Sequence, residues 1–190
     1  MLFEKTMRVV CGLGNPGALY ANTRHNAGFM VVDHFVEKHN LSWGRPKDGI
    51  IVAKHSRDVL VAKPDAFMNT SGPPIGALLR YYKVALSDFL LVVDCVSLEP
   101  GIIRLSRNGS HAGQNGVRSV IENLGSKDFP RLRIGVGRGK TRSTVLADHV
   151  LSTFGPGIEQ DALKSAIRRA TDAIDCFLLH GVDKAMNDYN

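Results

Sequence analysis

At 190 residues with 44% hydrophobic content, the chain has the size and composition of one globular domain, spanning residues 1–190, with a core of its own. Twenty-four Lys and Arg against eighteen Asp and Glu give a net charge of +6, which admits nucleic acid as a partner without requiring it. Three scattered cysteines in apolar runs (Cys11, Cys95, Cys176) exclude a disulfide framework or a metal spacing, no apolar run nears the roughly 18 residues of a membrane span, and the first residues lack the apolar core of a secretory signal, so a cytoplasmic protein with no membrane partner is expected.

In chain order, apolar runs rich in Val, Ile and Leu predict strands over Arg8–Leu13, Ile50–Lys54, Val59–Lys63, Phe89–Val93, Ile102–Ser106 and Leu132–Val136. Helical spacing predicts helices over Ala27–Asn40, from Ser71 through Tyr82 with prolines in the first turn, over Asn115–Asn123 closed by Gly125, and over Ile158–His180 closed by Gly181. The alternation argues an α/β fold, with a mixed, mostly parallel twisted sheet covered by helices on both faces. The Ile50 and Val59 runs, joined by a short polar stretch, are candidates for an antiparallel hairpin. The segment Gly137–Arg142 is glycine-rich and basic and reads as a mobile loop.

The stretch Gly12-Leu13-Gly14-Asn15-Pro16-Gly17 matches the G-x-G-x-x-G dinucleotide fingerprint. That fingerprint requires a helix to begin at once, so that a pyrophosphate meets its N-terminus. Here Pro16, Gly17 and a further polar stretch delay the helix to about Asn26, and the next strand ends in Lys54-His55 rather than in an acid. The glycines are instead expected to turn the backbone sharply and bring Asn15 into a cleft.

Polar residues gather just past strand ends and in glycine-marked loops: Asn15, His25 and Asn26 in the first loop, Asn69 in the stretch Ala66–Gly72, Asp94 after an entirely apolar run, and Asn115 in the stretch Ser110–Gly116. One histidine and one aspartate at a shared sheet edge suggest a dyad, in which the carboxylate orients the imidazole and the imidazole takes a proton from water. Asparagines can donate to a carbonyl oxygen or its oxyanion without adding charge, which suits hydrolysis of a neutral ester or amide. No G-x-S-x-G elbow is present, and Cys95 sits in a buried-strand context. Each residue also has a plainer reading: Asn26, Thr23 and Asn115 as helix caps, His111 as a surface residue, and His34, His39, His55, His149 and His180 as helix or surface residues.

The whole combination resembles the bacterial-type peptidyl-tRNA hydrolase family. The resemblance rests on Gly12–Gly17, Tyr20 and Thr23-Arg24-His25-Asn26-Ala27-Gly28, then Phe67-Met68-Asn69-Thr70-Ser71-Gly72, Asp94, Gly113–Ser119 and Arg131–Arg138. It implies a monomeric enzyme needing no metal or cofactor, which hydrolyses the ester between a peptide and the 3′ ribose of tRNA. It also implies roles: His25 as general base, Asp94 as its partner, and Asn15 as the group selecting a peptide amide. Asn69 and Asn115 would hold the substrate, Tyr20 and Phe67 would line the cleft, and Arg133 would meet tRNA phosphate.

The chain departs from the family pattern in places. Cys95-Val96-Ser97 replaces Glu-Leu-Asp, Gln114 stands where His is usual, and Asn108-Gly109-Ser110-His111 alters a glycine-rich approach. Ser106 occupies the position of a second phosphate-clamping base, which leaves Arg104 or Arg107 to complete the clamp with Arg133. Two other functions stay open: an idle RNA-binding member of the same fold, against which intact Asn15, His25 and Asp94 argue, and a dinucleotide-dependent enzyme. Basic residues of the loop (Arg138, Lys140, Arg142) and of the last helix (Lys164, Arg168, Arg169) are either RNA contacts or a solvated face.

Overall fold

Strands that are apolar on both faces need a helix layer on each side, and the computed structural model, which describes residues 6–138 and 146–190, has that form. The strands are β1 (Arg8–Gly12), β2 (Ile50–Ser56), β3 (Val59–Pro64), β4 (Phe89–Cys95), β5 (Ile103–Ser106) and β6 (Arg131–Gly135). The helices are α1 (Ala27–Lys38), α2 (Gly72–Tyr81), α3 (Asn115–Leu124), α4 (Leu146–Val150), α5 (Ile158–His180) and α6 (Val182–Tyr189). One sheet has the order β2-β3-β1-β4-β6-β5. Its four central strands are parallel, while β2 and β5 close the two edges antiparallel.

Alternate residues of the central strands feed two cores. Val10, Leu90, Val92, Leu132 and Ile134 pack with Val32 and Phe35 of α1 and with Ala170 and Phe177 of α5. Val9, Cys11, Leu91 and Val93 pack with Ile75 of α2 and Val120 of α3 on the other side. Complete burial pushes the Cys11 thiol up, so this cysteine behaves as a small hydrophobe.

The glycines around the first loop do less turning than expected and more packing. A Cβ on Gly12 would lie 2.4 Å from the Gly28 carbonyl oxygen, and one on Gly28 would lie 2.4 Å from the Val92 oxygen. A Cβ on Gly14 would strike the Phe29 ring at 2.5 Å. These three residues let the start of α1 rest directly on β1 and β4. Only Gly17, at φ 101, supplies the turn.

Several boundaries differ from expectation. Strand β4 runs through Asp94 to Cys95 because Asp94 pairs in register with Ile134; the aspartate is the penultimate strand residue rather than one just past the end. The β2–β3 hairpin is present, and a second antiparallel edge, β5, accompanies it. Helix α5 matches its expected span, but the chain resumes helix as α6 after Gly181, at φ 83. Of the basic loop, Lys140 and Arg142 lie outside the described residues, and Arg138 is exposed. On the last helices Arg169 donates to the Tyr189 carbonyl at 3.1 Å and stacks on its ring, while Lys164 and Arg168 stay exposed. Among the described residues, no helix is long and apolar enough to cross a membrane.

Candidate active site

The carboxyl ends of parallel strands are where open α/β sheets form clefts, and a cleft of about 800 Å³ opens there. The loop after β1 and a single 3-10 turn, Arg24–Asn26, form its floor. Both neighbours of His25 are anchored. Asn26, 2% exposed, accepts the Asn15 N–H on Oδ1 at 2.9 Å and donates Nδ2 to the Asn15 carbonyl at 3.0 Å. It makes no cap bond to α1; its amide clamps the loop instead. Thr23 likewise turns inward, with Oγ1 donating to the Tyr20 carbonyl at 2.8 Å. Arg24 is buried, donates Nη2 to both Glu159 oxygens at 3.0 and 2.8 Å, and stacks 4.6 Å over the Phe154 ring. The Arg24 hydrogen bond, more than any other contact, holds the Glu159 carboxyl below its ordinary range.

His25 Nδ1 stands 3.0 Å from Asp94 Oδ1, with side-chain exposures of 13% and 2%. The ring is turned so that an N–H on Nδ1 lies off the line to the oxygen, making this a close approach rather than a linear hydrogen bond. Such contacts tighten when substrate arrives. With Nδ1 against the carboxylate, Nε2 is left for the cleft. Asp94 Oδ1 also accepts Gln114 Nε2 at 2.9 Å.

Asn15 is oriented by a contact that admits one assignment. Its Oδ1 accepts the Met68 N–H at 2.8 Å, and since a backbone N–H can only donate, the NH2 end is turned to the cleft it lines. Met68 begins the 3-10 turn Met68–Thr70, which also presents exposed Asn69. Asn115, for which a helix cap was the plainer of two readings, is the first residue of α3, and Gln114 is the cap, accepting the Val117 N–H at 2.9 Å. Tyr20 and Phe67 meet edge to face at 6.2 Å on the cleft wall.

The far wall comes from β5 and β6. Arg133 lines the cleft, and its Nε is buried with no hydrogen-bond partner among the described residues. Arg131 is a strut: 3% exposed, it donates to the Ser110 carbonyl at 2.6 Å and the Lys127 carbonyl at 3.0 Å, and stacks 4.5 Å from Phe129. Burial first, and Arg133 second, push its guanidinium down to about 10. Arg104 pairs directly opposite Arg133 and so shares its sheet face, whereas Arg107 is paired with Asp183. His111 is drawn into the wall, where its Nδ1 accepts the Gly113 N–H at 3.1 Å. Cys95 Sγ lies 3.2 Å from Ser97 Oγ at the rim.

Of the residues singled out from the sequence, Asn15, Tyr20, His25, Phe67, Asn69, Asp94, Asn115 and Arg133 line this one cleft, whereas Asn26, Arg104 and Arg107 do not. Among its described lining residues Asp94 is the only acid, against Arg131, Arg133 and Arg138. Some contributors have no local sequence signature. Gln114 and Arg131 hold the site through bonds to residues distant in the chain, and α4 with the residue after it adds an apolar lip of Leu146, Val150 and Leu151. His149 of α4 is buried, with Nε2 2.8 Å from the Gly137 oxygen. Among the described residues, no three His, Cys, Asp or Glu side chains gather as a metal ion would require.

A model of the family described as peptidyl-tRNA hydrolase matches residues 9–190. The chain is 43% identical to a peptidyl-tRNA hydrolase of Symbiobacterium thermophilum, over 96% of this chain and 98% of that protein. It is 41% identical to one of Lachnospira eligens, over 97% and 100% respectively. The crystal structure of peptidyl-tRNA hydrolase from Acinetobacter baumannii superposes with a TM-score of 0.90 at 33% identity, covering 98% of this chain and 95% of that one. Matched along nearly its whole length in sequence and in fold, the chain belongs to the peptidyl-tRNA hydrolase family.

Proposed function

We propose that the protein hydrolyses the ester between a peptide and the 3′ ribose of peptidyl-tRNA, releasing the tRNA for reuse. The observation that carries this reading is the 3.0 Å approach of His25 to Asp94 beside an Asn15 amide whose NH2 faces the same cleft. His25 Nε2 takes a proton from water as the water oxygen attacks the ester carbonyl carbon, and Asp94 stabilises the imidazolium that forms. The tetrahedral oxyanion then collapses, the C–O bond to the ribose breaks, and the 3′-hydroxyl leaves with the proton held by His25. The Asn15 NH2 donates to a carbonyl of the substrate's peptide and so favours a peptide over a free amino acid. Asn69 and Asn115 hold the peptide and the 3′-terminal nucleotide, Tyr20 and Phe67 flank them, and Arg133, with Arg104 on the same sheet face, meets backbone phosphate. The arginine-rich, acid-poor wall supports an RNA substrate. The protein acts as a monomer and in the cytoplasm, the latter supported by cysteines that are all unpaired.

Purified protein incubated with an N-blocked aminoacyl-tRNA tests this directly. Release of the blocked amino acid is expected, and its absence at micromolar enzyme would overturn the assignment. Elution from a sizing column at the mass of one chain is expected at the same concentration.

A further inference from the structure

Gln114 uses both ends of its side chain. Oε1 accepts the Val117 N–H at 2.9 Å and so starts α3. Nε2 donates to Asp94 Oδ1 at 2.9 Å and lies 3.4 Å from Met68 Sδ. The oxygen end is committed to a backbone donor, so the NH2 end has to face the carboxylate. The amide is also packed in place: a Cβ on Gly116 would lie 3.0 Å from Gln114 Oε1 and 2.4 Å from Met68 Sδ.

Asp94 receives Gln114 Nε2 and His25 Nδ1 on the same oxygen, at 2.9 and 3.0 Å. A carboxylate rotates easily about its terminal torsion, and the His25 N–H, lying off line, does not fix that rotation. Among the described residues, the side chain that hydrogen-bonds Asp94 Oδ1 is Gln114.

We propose that Gln114 is a positioning residue for the reaction: it sets the rotation of the Asp94 carboxylate toward His25 while carrying no charge of its own. The proposal rests on the His25–Asp94 reading above. Because the same amide caps α3, Asn115 at the helix start and the carboxylate behind His25 share one anchor. The other titratable groups lining the cleft, among the described residues, are Tyr20, Cys95 and His111, with Arg131, Arg133 and Arg138 as cations. None of them donates to Asp94.

Two substitutions separate positioning from capping. Gln114→Ser retains an N-cap acceptor but is too short to reach Asp94. Gln114→Glu retains reach and cap but sets a carboxylate against a carboxylate. Hydrolysis of N-blocked aminoacyl-tRNA is followed across pH, with thermal unfolding as the control for folding. In both variants kcat is expected to fall roughly ten- to a hundredfold, with KM near the wild-type value. In Gln114→Glu the acid limb of kcat against pH is expected to move up by about one unit or more, because one of two adjacent carboxylates retains a proton. In an Asp94→Asn background that displacement is expected to vanish. Wild-type kcat and pH profile in the folded variants, or a change confined to KM, would reduce Gln114 to a helix cap and overturn the proposal. Full turnover by Asp94→Asn alone would overturn the dyad reading beneath it. Should the serine variant lose its fold, the glutamate variant, which keeps the cap, carries the test.

Discussion

His25 sits on one turn of backbone between two side chains that reach elsewhere: Arg24 to α5 and Asn26 to Asn15. This division of labour lets a half-buried imidazole hold its position with a single, off-line contact to Asp94. Replacing His25 with Ala is expected to lower kcat by about 10²–10⁴ while the melting temperature stays near wild type, because a positioned base contributes rate rather than packing. Retained turnover would place the base elsewhere. Asn26→Ala removes both bonds to the Asn15 backbone and leaves a buried N–H and carbonyl unpaired. A loss of about 1–3 kcal/mol is expected in urea denaturation, together with a fall in kcat; a neutral result would show that the loop holds itself.

At the scale of elements, the seat of α1 decides whether the turn carrying His25 reaches β4 at all. Gly28 meets the Val92 and Leu13 carbonyls so closely that a methyl group has no room. Gly28→Ala is expected to cost about 1–3 kcal/mol or more, read by denaturant unfolding, and wild-type stability in that variant would refute the close packing. The first turn of α5 is joined to the loop carrying His25 by Arg24 and Glu159. Since the Glu159 carboxyl lies below its ordinary range when folded, its contribution is complete above the unfolded value of about 4.3 and is lost as pH falls through the folded one. The carboxylate is 36% exposed, so the effect is modest. Glu159→Gln is expected to lower the melting temperature near neutrality and to lose less of it between about pH 5 and 3 than the wild type does. Parallel pH curves for the two proteins would remove Glu159 from the acid response.

Across the whole molecule, the net charge of +6 is spread over many surfaces, but the cleft concentrates it: among its described lining residues three arginines stand against one aspartate. Arg131 is already spent on two carbonyls and a phenyl ring, so Arg133 is the side chain on β6 with capacity for a phosphate. Arg133→Ala is expected to weaken tRNA binding and to reduce the slope of log affinity against log salt by about one. An unchanged slope would remove Arg133 from the RNA surface.

Local chemistry made much of this readable in advance. Runs of Val, Ile and Leu have few uses outside a doubly covered sheet, and the span Ile158–His180 has the spacing of one helix face against it. Asn15, His25, Asp94 and Asn115 stood out because polar residues cluster beside apolar strands for few reasons. The direction in which each side chain turns depended on partners far along the chain. Asn26 was open to a capping role until Asn15, 11 residues away, took its amide. Gln114, a departure from the family pattern, found Asp94 at a separation of 20 residues. Arg104 and Arg107 were equivalent candidates until strand pairing set one opposite Arg133 and an ion pair took the other. Periodicity encodes which face of an element is apolar, while hydrogen-bond partners across the sheet edge are set by packing, which brings distant residues together and has no local signature.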